Sequence, residues 1–119
     1  MALRITDRDV SGVSVLDMEG RIVLGGESNA LREKFKSLLS AGRKQIVLNM
    51  ANVTYIDSAG LGTLVACYNN ARSQGATLKL ANLGAKSKEV LQIARVMPFF
   101  DIFDTDSAAV ASFSAPAST

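Results

Sequence analysis

The stretch that decides the fold covers residues 52–64 and reads Asn52-Val53-Thr54-Tyr55-Ile56-Asp57-Ser58-Ala59-Gly60-Leu61-Gly62-Thr63-Leu64. The segment before it, residues 45–50, is apolar at nearly every position, which predicts a central β-strand covered by other elements. The segment after it has apolar residues at helical spacing, which predicts a helix over residues 58–73. Asp57 and Ser58 are therefore expected at the N-terminus of that helix.

The chain before this stretch is predicted to open with strands. Residues 3–8 and 13–19 alternate apolar and polar side chains, as half-buried strands do, and residues 21–24 predict a short third strand. Together they predict an antiparallel meander. An amphipathic helix should follow, with Ser28 as its cap, Gly42 as its end, and an apolar stripe made of Leu31, Phe35, Leu38 and Leu39.

The chain after residue 76 alternates predicted strands and helices: a strand at 77–81 with Lys79 outward, a helix near 87–97, a strand at 101–103 and a helix at 107–113. Such alternation implies parallel pairing with right-handed crossovers. The predicted fold class is therefore α/β, a mixed sheet with an antiparallel start and then strand–helix units that pack their helices mainly on one face. Residues 1–113 should form a single domain, and residues 114–119 a disordered tail.

Composition excludes several classes of function. The 119 residues include no histidine and one cysteine, so Ser-His-Asp and Cys-His nucleophiles, an internal disulfide and the usual zinc sites are absent. Cys67 reads as a packed structural thiol. The net charge of +2 comes from scattered basic residues, and no apolar run reaches the ~18–20 residues that cross a bilayer. We predict a non-enzymatic, cytoplasmic protein without cofactor or metal, with neither direct nucleic-acid binding nor membrane insertion.

The position of Ser58 suits a phosphate group. The N-terminus of a helix presents unpaired N–H groups and the positive end of the helix dipole, an effect of ~0.3–1 kcal/mol on an exposed anion. The adjacent Asp57 opposes a second negative charge and also offers a helix cap. An aspartate followed by a serine is equally an ordinary capping sequence, so local physics alone leaves both interpretations open.

The outer face of the predicted second helix is small and neutral. If Leu61 points inward, the residues left outward are Ala59, Gly62, Thr63, Ala66 and Asn70, and no charged residue occurs between Asp57 and Arg72. Such a face suits close docking of another protein. Gly60 and Gly62 each cost roughly 1 kcal/mol of helix propensity relative to alanine. We expect the close approach of a partner or of a neighbouring backbone to compensate that cost.

The order of these residues closely resembles the signature of STAS-domain anti-sigma factor antagonists. The resemblance lies in Val47-Leu48-Asn49-Met50 followed by Tyr55-Ile56-Asp57-Ser58-Ala59-Gly60-Leu61-Gly62. It implies that Ser58 is phosphorylated by an anti-sigma factor that is itself a GHKL-type serine kinase, and that a PP2C-type phosphatase reverses this. The unmodified antagonist would bind the kinase and free a sigma factor. The implied partner-binding residues are Asp57, Ser58, Ala59, Gly60, Leu61, Gly62, Thr63 and Ala66.

One segment departs from the family pattern, and two alternatives stay open. Many members carry a Gly-Glu-Leu-Asp-like sequence where this chain has Gly20-Arg21-Ile22-Val23, so two acidic positions have become Arg21 and Val23. If the kinase contacts this segment, the change predicts a kinase different from the better-known ones; it also favours a diverged partner or a role outside sigma control. The first alternative is a STAS subunit of another assembly, such as a lipid-transport accessory or a signalling scaffold. The second is a small nucleotide-binding enzyme that uses a Gly60-x-Gly62 turn. Oligomeric state is left open.

Overall fold

The computed structural model describes residues 3–23 and 25–114, without the side chains of residues 27, 28 and 114. Within this part, strands and helices alternate after an initial hairpin. The elements are β1 Arg4–Val10, β2 Val13–Ile22, α1 Gly26–Ser40, β3 Gln45–Ile56, α2 Ser58–Ser73, β4 Thr77–Ala81, α3 Ala85–Ile93, a 3₁₀ turn Met97–Phe99, β5 Asp101–Phe103 and α4 Asp106–Ser114.

The five strands form one mixed sheet in the order β1-β2-β3-β4-β5. β1 and β2 pair antiparallel, and the remaining neighbours pair parallel. Each parallel connection moves to the next strand in the same direction, so right-handed crossovers place α1, α2 and α3 on one face. Their buried side chains, among them Phe35, Leu64 and Leu91, share the main core with strand residues such as Leu48. The predicted fold class is confirmed.

Several predicted boundaries were wrong. Of the separate strand predicted at 21–24, residues 21 and 22 belong instead to β2, which continues through Gly20 at φ 117° and ends at Ile22, and residue 24 lies outside the described residues. The opening is therefore a two-stranded hairpin. The first helix begins at Gly26 with Gly25 as its cap, three residues before the expected cap Ser28. The third helix ends at Ile93, four residues before the predicted end, and a 3₁₀ turn follows at Met97–Phe99.

The central strand β3 is longer than predicted and extends beyond its neighbour. β4 pairs with β3 only as far as Asn49, whereas β3 continues to Ile56 with β2 beside it. At each of two register shifts between β2 and β3, β3 has more residues than β2. At the second register shift, the Thr54 hydroxyl donates a hydrogen bond to the Gly20 carbonyl at 3.2 Å. This extension carries the chain out to Asp57.

The second face of the sheet is partly covered by α4. Ala109 and Phe113 pack there against strand residues such as Val15 and Val47. Lys79 points to this face, away from the inward Leu78 and Leu80 as predicted, but α4 covers it and leaves it only 9% exposed. Its amine donates to the Ser112 hydroxyl at 2.6 Å and lies 4.1 Å from the ring centroid of Phe113. Hydrogen bonding and cation–π attraction thus compensate the burial of the charge.

A charged cluster fastens α4 to the initial hairpin. The Arg8 guanidinium donates to the Asp17 carboxylate at 2.6 Å and to the Asp106 carboxylate at 2.7 Å. These hydrogen bonds hold the pKa of both carboxyl groups below the ordinary value of 3.8. Asn49 adds a hydrogen bond to Asp17 at 2.7 Å. The cluster links β1, β2, β3 and the start of α4.

The described helices are all too short or too polar to cross a membrane. The domain predicted over residues 1–113 includes residues 1, 2 and 24, which lie outside the described part. Of the predicted disordered tail, Ser114 is the last residue of α4. Residues 115–119 lie outside the described residues, so that part of the prediction stays a prediction.

Candidate functional site

Ser58 lies where the extension of β3 turns into α2. Ile56 is the last, buried residue of β3, and Ser58 is the exposed first residue of α2. Asp57 between them is extended, with φ −96° and ψ −177°. Its carboxylate accepts a hydrogen bond from the Gly60 N–H at 2.7 Å, and its own N–H donates to the Ile22 carbonyl at 3.3 Å. The predicted capping role of Asp57 is confirmed.

Gly60 is required by a close approach between α2 and the end of β2. A Cβ at this position would overlap the Ile22 carbonyl oxygen and lie 2.7 Å from the carbonyl carbon. Because these are backbone atoms, they cannot rotate away as a side chain would. The cost of this glycine in the helix is therefore compensated by a neighbouring backbone, one of the two predicted explanations. The contact sets the distance between the first turn of α2 and β2.

Gly62 has a different environment. A Cβ there would meet no atom within 4 Å, and the residue is exposed. Alanine would favour the helix at this position by up to about 1 kcal/mol. Nothing in the described fold requires this glycine. Close approach of a partner, the other predicted explanation, stays a prediction for Gly62.

The inward face of α2 differs from its predicted arrangement. Thr63 was predicted to point outward, and that was wrong, because it is only 1% exposed and its hydroxyl donates to the Ala59 carbonyl at 3.1 Å. α2 contacts both the sheet and α1, so its buried arc is wider than a single stripe. The buried residues of α2 are Gly60, Thr63, Leu64, Cys67 and Ala71.

The accessible part of the α2 N-terminus consists of small and apolar residues. Ser58 and Gly62 are exposed, and Ala59, Leu61 and Ala66 are partly buried. The structure thus brings together all predicted partner-binding residues at one helix end, but leaves Gly60 and Thr63 facing the protein interior. Their predicted part in binding is therefore indirect, through the position of the helix.

The electrostatics of this end favour an anion at Ser58. The N–H groups of Ser58 and Ala59 belong to the first turn, where α-helical geometry supplies no acceptor. The helix dipole adds partial positive charge at the same place. The Gly60 N–H already donates a hydrogen bond to the Asp57 carboxylate. A phosphate on Ser58 would thus find helical N–H groups beside it, together with repulsion from one adjacent carboxylate.

The site does not have the features of a metal or nucleotide centre. Within residues 3–23 and 25–114, no group of three His, Cys, Asp or Glu side chains is placed to hold a metal ion. Cys67 lies on the buried face of α2, and burial raises the pKa of its thiol to about 12. Gly60 and Gly62 lie inside α2 rather than in a loop before it. The turn required by the nucleotide-binding alternative is therefore not formed.

Sequence reasoning missed an exposed surface beside Ser58. Tyr55 is 47% exposed, and Arg21 is its partner on β2. A shallow cleft of about 420 Å³ adjoins them, lined by Glu19, Gly20, Arg21, Ala51, Asn52 and Thr54. The sequence offers no periodic signal for this surface, because two register shifts interrupt the strand alternation of residues 50–56; only once β3 is known to reach Ile56 does Tyr55 follow on the opposite face.

Comparisons with known proteins agree on one family. A family model described as the STAS domain matches residues 4–109. BtrV of Bordetella bronchiseptica, named as a candidate anti-sigma factor antagonist, is 23% identical over 93% of this chain and 95% of its own length. A Thermotoga maritima crystal structure, also named as a candidate anti-sigma factor antagonist, has a TM-score of 0.84 at 24% identity, covering 91% of this chain and 92% of that chain.

A further solved structure is that of the Bacillus protein SpoIIAA, described as an anti-sigma factor antagonist and determined in two states. The unphosphorylated form has a TM-score of 0.72 at 16% identity, covering 94% of this chain and 99% of that chain. The phosphorylated form has a TM-score of 0.73 at 17% identity, covering 92% and 99%. At these identities the structural likeness shows a shared fold.

Proposed function

This chain belongs to the STAS domain family, and on that basis we propose that it is an anti-sigma factor antagonist controlled by phosphorylation of Ser58. In its unmodified form it binds an anti-sigma factor, and the bound anti-sigma factor releases a sigma factor. The anti-sigma factor is a GHKL-type serine kinase that phosphorylates Ser58 and thereby ends the interaction. A PP2C-type phosphatase restores the unmodified form. The protein itself performs no catalysis and acts in the cytoplasm.

The observation that carries the proposal is the exposure of Ser58 at a fixed helix end. Asp57, the residue before Ser58, is extended, and its hydrogen bonds to Gly60 in α2 and to Ile22 in β2 fix its position. Ser58 itself is exposed, so its hydroxyl is accessible to the active site of a kinase. A substrate serine held on a rigid element is presented in one orientation, which lowers the entropic cost of reaching the transition state.

Phosphorylation at this position is compatible with the fold. The modified group would project from the first turn of α2, where the helix dipole and the unpaired N–H groups favour negative charge. The buried contacts of the same turn are made by Gly60 and Thr63 rather than by Ser58. We therefore expect the phosphorylated protein to stay folded, with its regulatory effect confined to the surface.

The same phosphate would oppose the docking of a partner. The exposed residues of α2 itself around Ser58 are small and uncharged, and the next charged residue along α2 is Arg72 in its last turn. A partner that packs closely on this surface removes water from Ser58. A phosphate of about −2 charge would then lose its hydration without gaining an arginine or lysine of α2, and the complex would be destabilised.

The phosphoacceptor is tested by intact-mass analysis. The purified chain is incubated with ATP and, one at a time, with the GHKL-type serine kinases encoded in the same genome. We expect one phosphate per chain with the cognate kinase, and none in Ser58→Ala. Ser73→Ala is the control, because Ser73 is an exposed serine at the other end of the same helix. Undiminished phosphorylation of Ser58→Ala would show that the assigned residue is wrong.

The switch is tested by binding measurements with the same kinase. Ser58→Ala should bind with the wild-type affinity, whereas Ser58→Asp should bind at least about tenfold more weakly because it places a charge in the interface. Circular dichroism should show both variants folded. Equal affinities for the two variants would contradict the proposed control of binding, even if phosphorylation takes place.

A further inference from the structure

The outer face of the sheet, which is the face that carries α4, is uncovered next to Ser58. α4 packs on the starts of β2 and β3, around Val13, Val15 and Val47. Towards the ends of the same two strands the face carries the shallow cleft of about 420 Å³, and Tyr55 is 47% exposed there. This surface lies on the opposite side of the sheet from α2.

Arg21 and Tyr55 point to this outer face together. They are register partners on neighbouring strands, and the next pair, Ile22 and Ile56, is buried in the core on the helix side. Because successive side chains of a strand alternate between faces, Arg21 and Tyr55 must share the opposite face. The pair lies at the strand ends that lead into α2.

Arg21 differs from the other charged residues on the outer face of β2. Asp17 is paired with Arg8, and Glu19 lies 3.6 Å from Arg4. Within the described residues β1 begins at Arg4, opposite Glu19, and so places no acidic side chain beside Arg21. Among residues 3–23 and 25–114, the side chain of Arg21 makes no ion pair. Its guanidinium is a free cation with the geometry to bind a carboxylate in two hydrogen bonds.

We propose that Arg21 and Tyr55 form a second contact surface for the kinase that modifies Ser58, and that Arg21 selects a kinase with a carboxylate side chain at this point. The inference rests on the proposed function. Tyr55 precedes Ser58 by three residues, a separation of at most about 11 Å along an extended chain. A kinase that encloses Ser58 in its active site therefore has Tyr55 within reach. A half-exposed aromatic ring beside an unpaired arginine has the composition of an interface anchor.

Arg21 and Tyr55 would bind the kinase without taking part in phosphate transfer, so their effect should appear in affinity and KM. Arg21→Glu should weaken binding about tenfold or more, since it places two carboxylates opposite one another. In steady-state phosphorylation of Ser58 the KM should rise with kcat unchanged, because the contact is the same in the ground state and in the transition state. Tyr55→Ala should act in the same direction. A variant that merely displaced Ser58 would lower kcat.

Two matched controls lie elsewhere on the molecule. Lys44→Glu makes the same charge change just before the other end of β3, where the lysine amine is bonded to the Gln74 carbonyl at the surface. Phe99→Ala removes another exposed aromatic ring, 58% exposed, in the 3₁₀ turn before β5. Both should keep the wild-type KM.

Arg21→Gln should also reduce the dependence of affinity on ionic strength, because it removes one screened charge pair.

The outcomes separate this inference from the proposed function. If wild type is bound and phosphorylated while Arg21→Glu and Tyr55→Ala keep its KM and affinity, the second contact surface is refuted and the switch stands. If none of the genome's GHKL-type kinases binds or modifies wild type, the proposed function is overturned, and the inference with it. If Arg21→Glu changes the sedimentation of the isolated chain, the surface pairs with a second copy instead of a kinase, which also refutes the inference.

Discussion

Gly60→Ala and Gly62→Ala should have opposite effects on stability, although both replace a glycine in the first two turns of α2. In an exposed helix, alanine is favoured over glycine by up to about 1 kcal/mol. For Gly62 nothing offsets this gain, because a Cβ there would meet no atom within 4 Å. For Gly60 the added methyl group overlaps the Ile22 carbonyl, and the first turn of α2 has to move away from β2.

The magnitude follows from the contacts that would be lost. Overpacking of a well-packed site costs about 1–3 kcal/mol, and loss of the hydrogen bond from the Asp57 N–H to the Ile22 carbonyl costs about 1 kcal/mol more. After the gain in helix propensity, Gly60→Ala should be destabilised by a net ~1–3 kcal/mol. Gly62→Ala should be stabilised by up to about 1 kcal/mol, so the two variants should differ by ~1–4 kcal/mol.

The measurement is urea denaturation followed by circular dichroism, with thermal unfolding in parallel. A change of 1 kcal/mol in a chain of this size corresponds to roughly 3–5 °C in Tm. The slope of the free energy of unfolding against urea should be the same for wild type and both variants, which ensures that the midpoints report stability. Gly62→Ala acts as the control for helix propensity, because it makes the same chemical change without the contact.

The result that would refute the reasoning is a Gly60→Ala variant as stable as wild type or more so. It would mean that α2 moves away from Ile22 at no cost, and that the close approach does not hold Ser58 in place. A destabilised Gly62→Ala would also contradict the reasoning, because it would show that the isolated chain requires a glycine at this position.

Three further predictions concern the cap, an ion pair and the thiol. Asp57→Ala removes the acceptor of the Gly60 N–H and should cost about 0.5–2 kcal/mol in urea denaturation; an unchanged midpoint would contradict the capping role. The hydrogen bond from Arg8 lowers the folded-state pKa of Asp106 below 3.8, so its contribution to stability is present above that pH and lost as the pH falls below it. Asp106→Asn should therefore be less stable than wild type at neutral pH, and the difference in stability should shrink as the pH is lowered below 3.8; a difference that stays constant down to strongly acid pH would contradict this. Cys67, with a thiol pKa raised to about 12 by burial, should resist iodoacetamide in the folded protein and react once urea unfolds it; rapid labelling of the folded chain would show that α2 opens.

The fold class was predictable because each of its determinants is local. The helix over residues 58–73 and the strand over residues 77–81 have the bounds that apolar spacing predicts. The capping role of Asp57 followed from its position before the helix, since a cap depends only on residues within one turn. The strand–helix order then left right-handed parallel crossovers as the expected connection.

The errors arose where a second element decides the environment of a residue. Lys79 alternates correctly with Leu78 and Leu80, but α4 covers the face that it occupies. Thr63 lies outside the apolar stripe of α2, yet α1 and the sheet together widen the buried arc around it. The extension of β3 to Ile56 depends on pairing with β2 across register shifts, and such pairing leaves no periodic signal in the sequence.

By itself, the sequence determined that Asp57 and Ser58 begin a helix and that this helix presents a neutral surface, because helix caps and charge distribution are properties of neighbouring residues. The tertiary structure alone distinguished Gly60 from Gly62. One lies against the Ile22 backbone and the other against no atom of the described chain, and a glycine gives no sign in the sequence of what approaches it. It also placed Arg21 beside Tyr55, since contacts between residues far apart in the chain arise only when the strands pair.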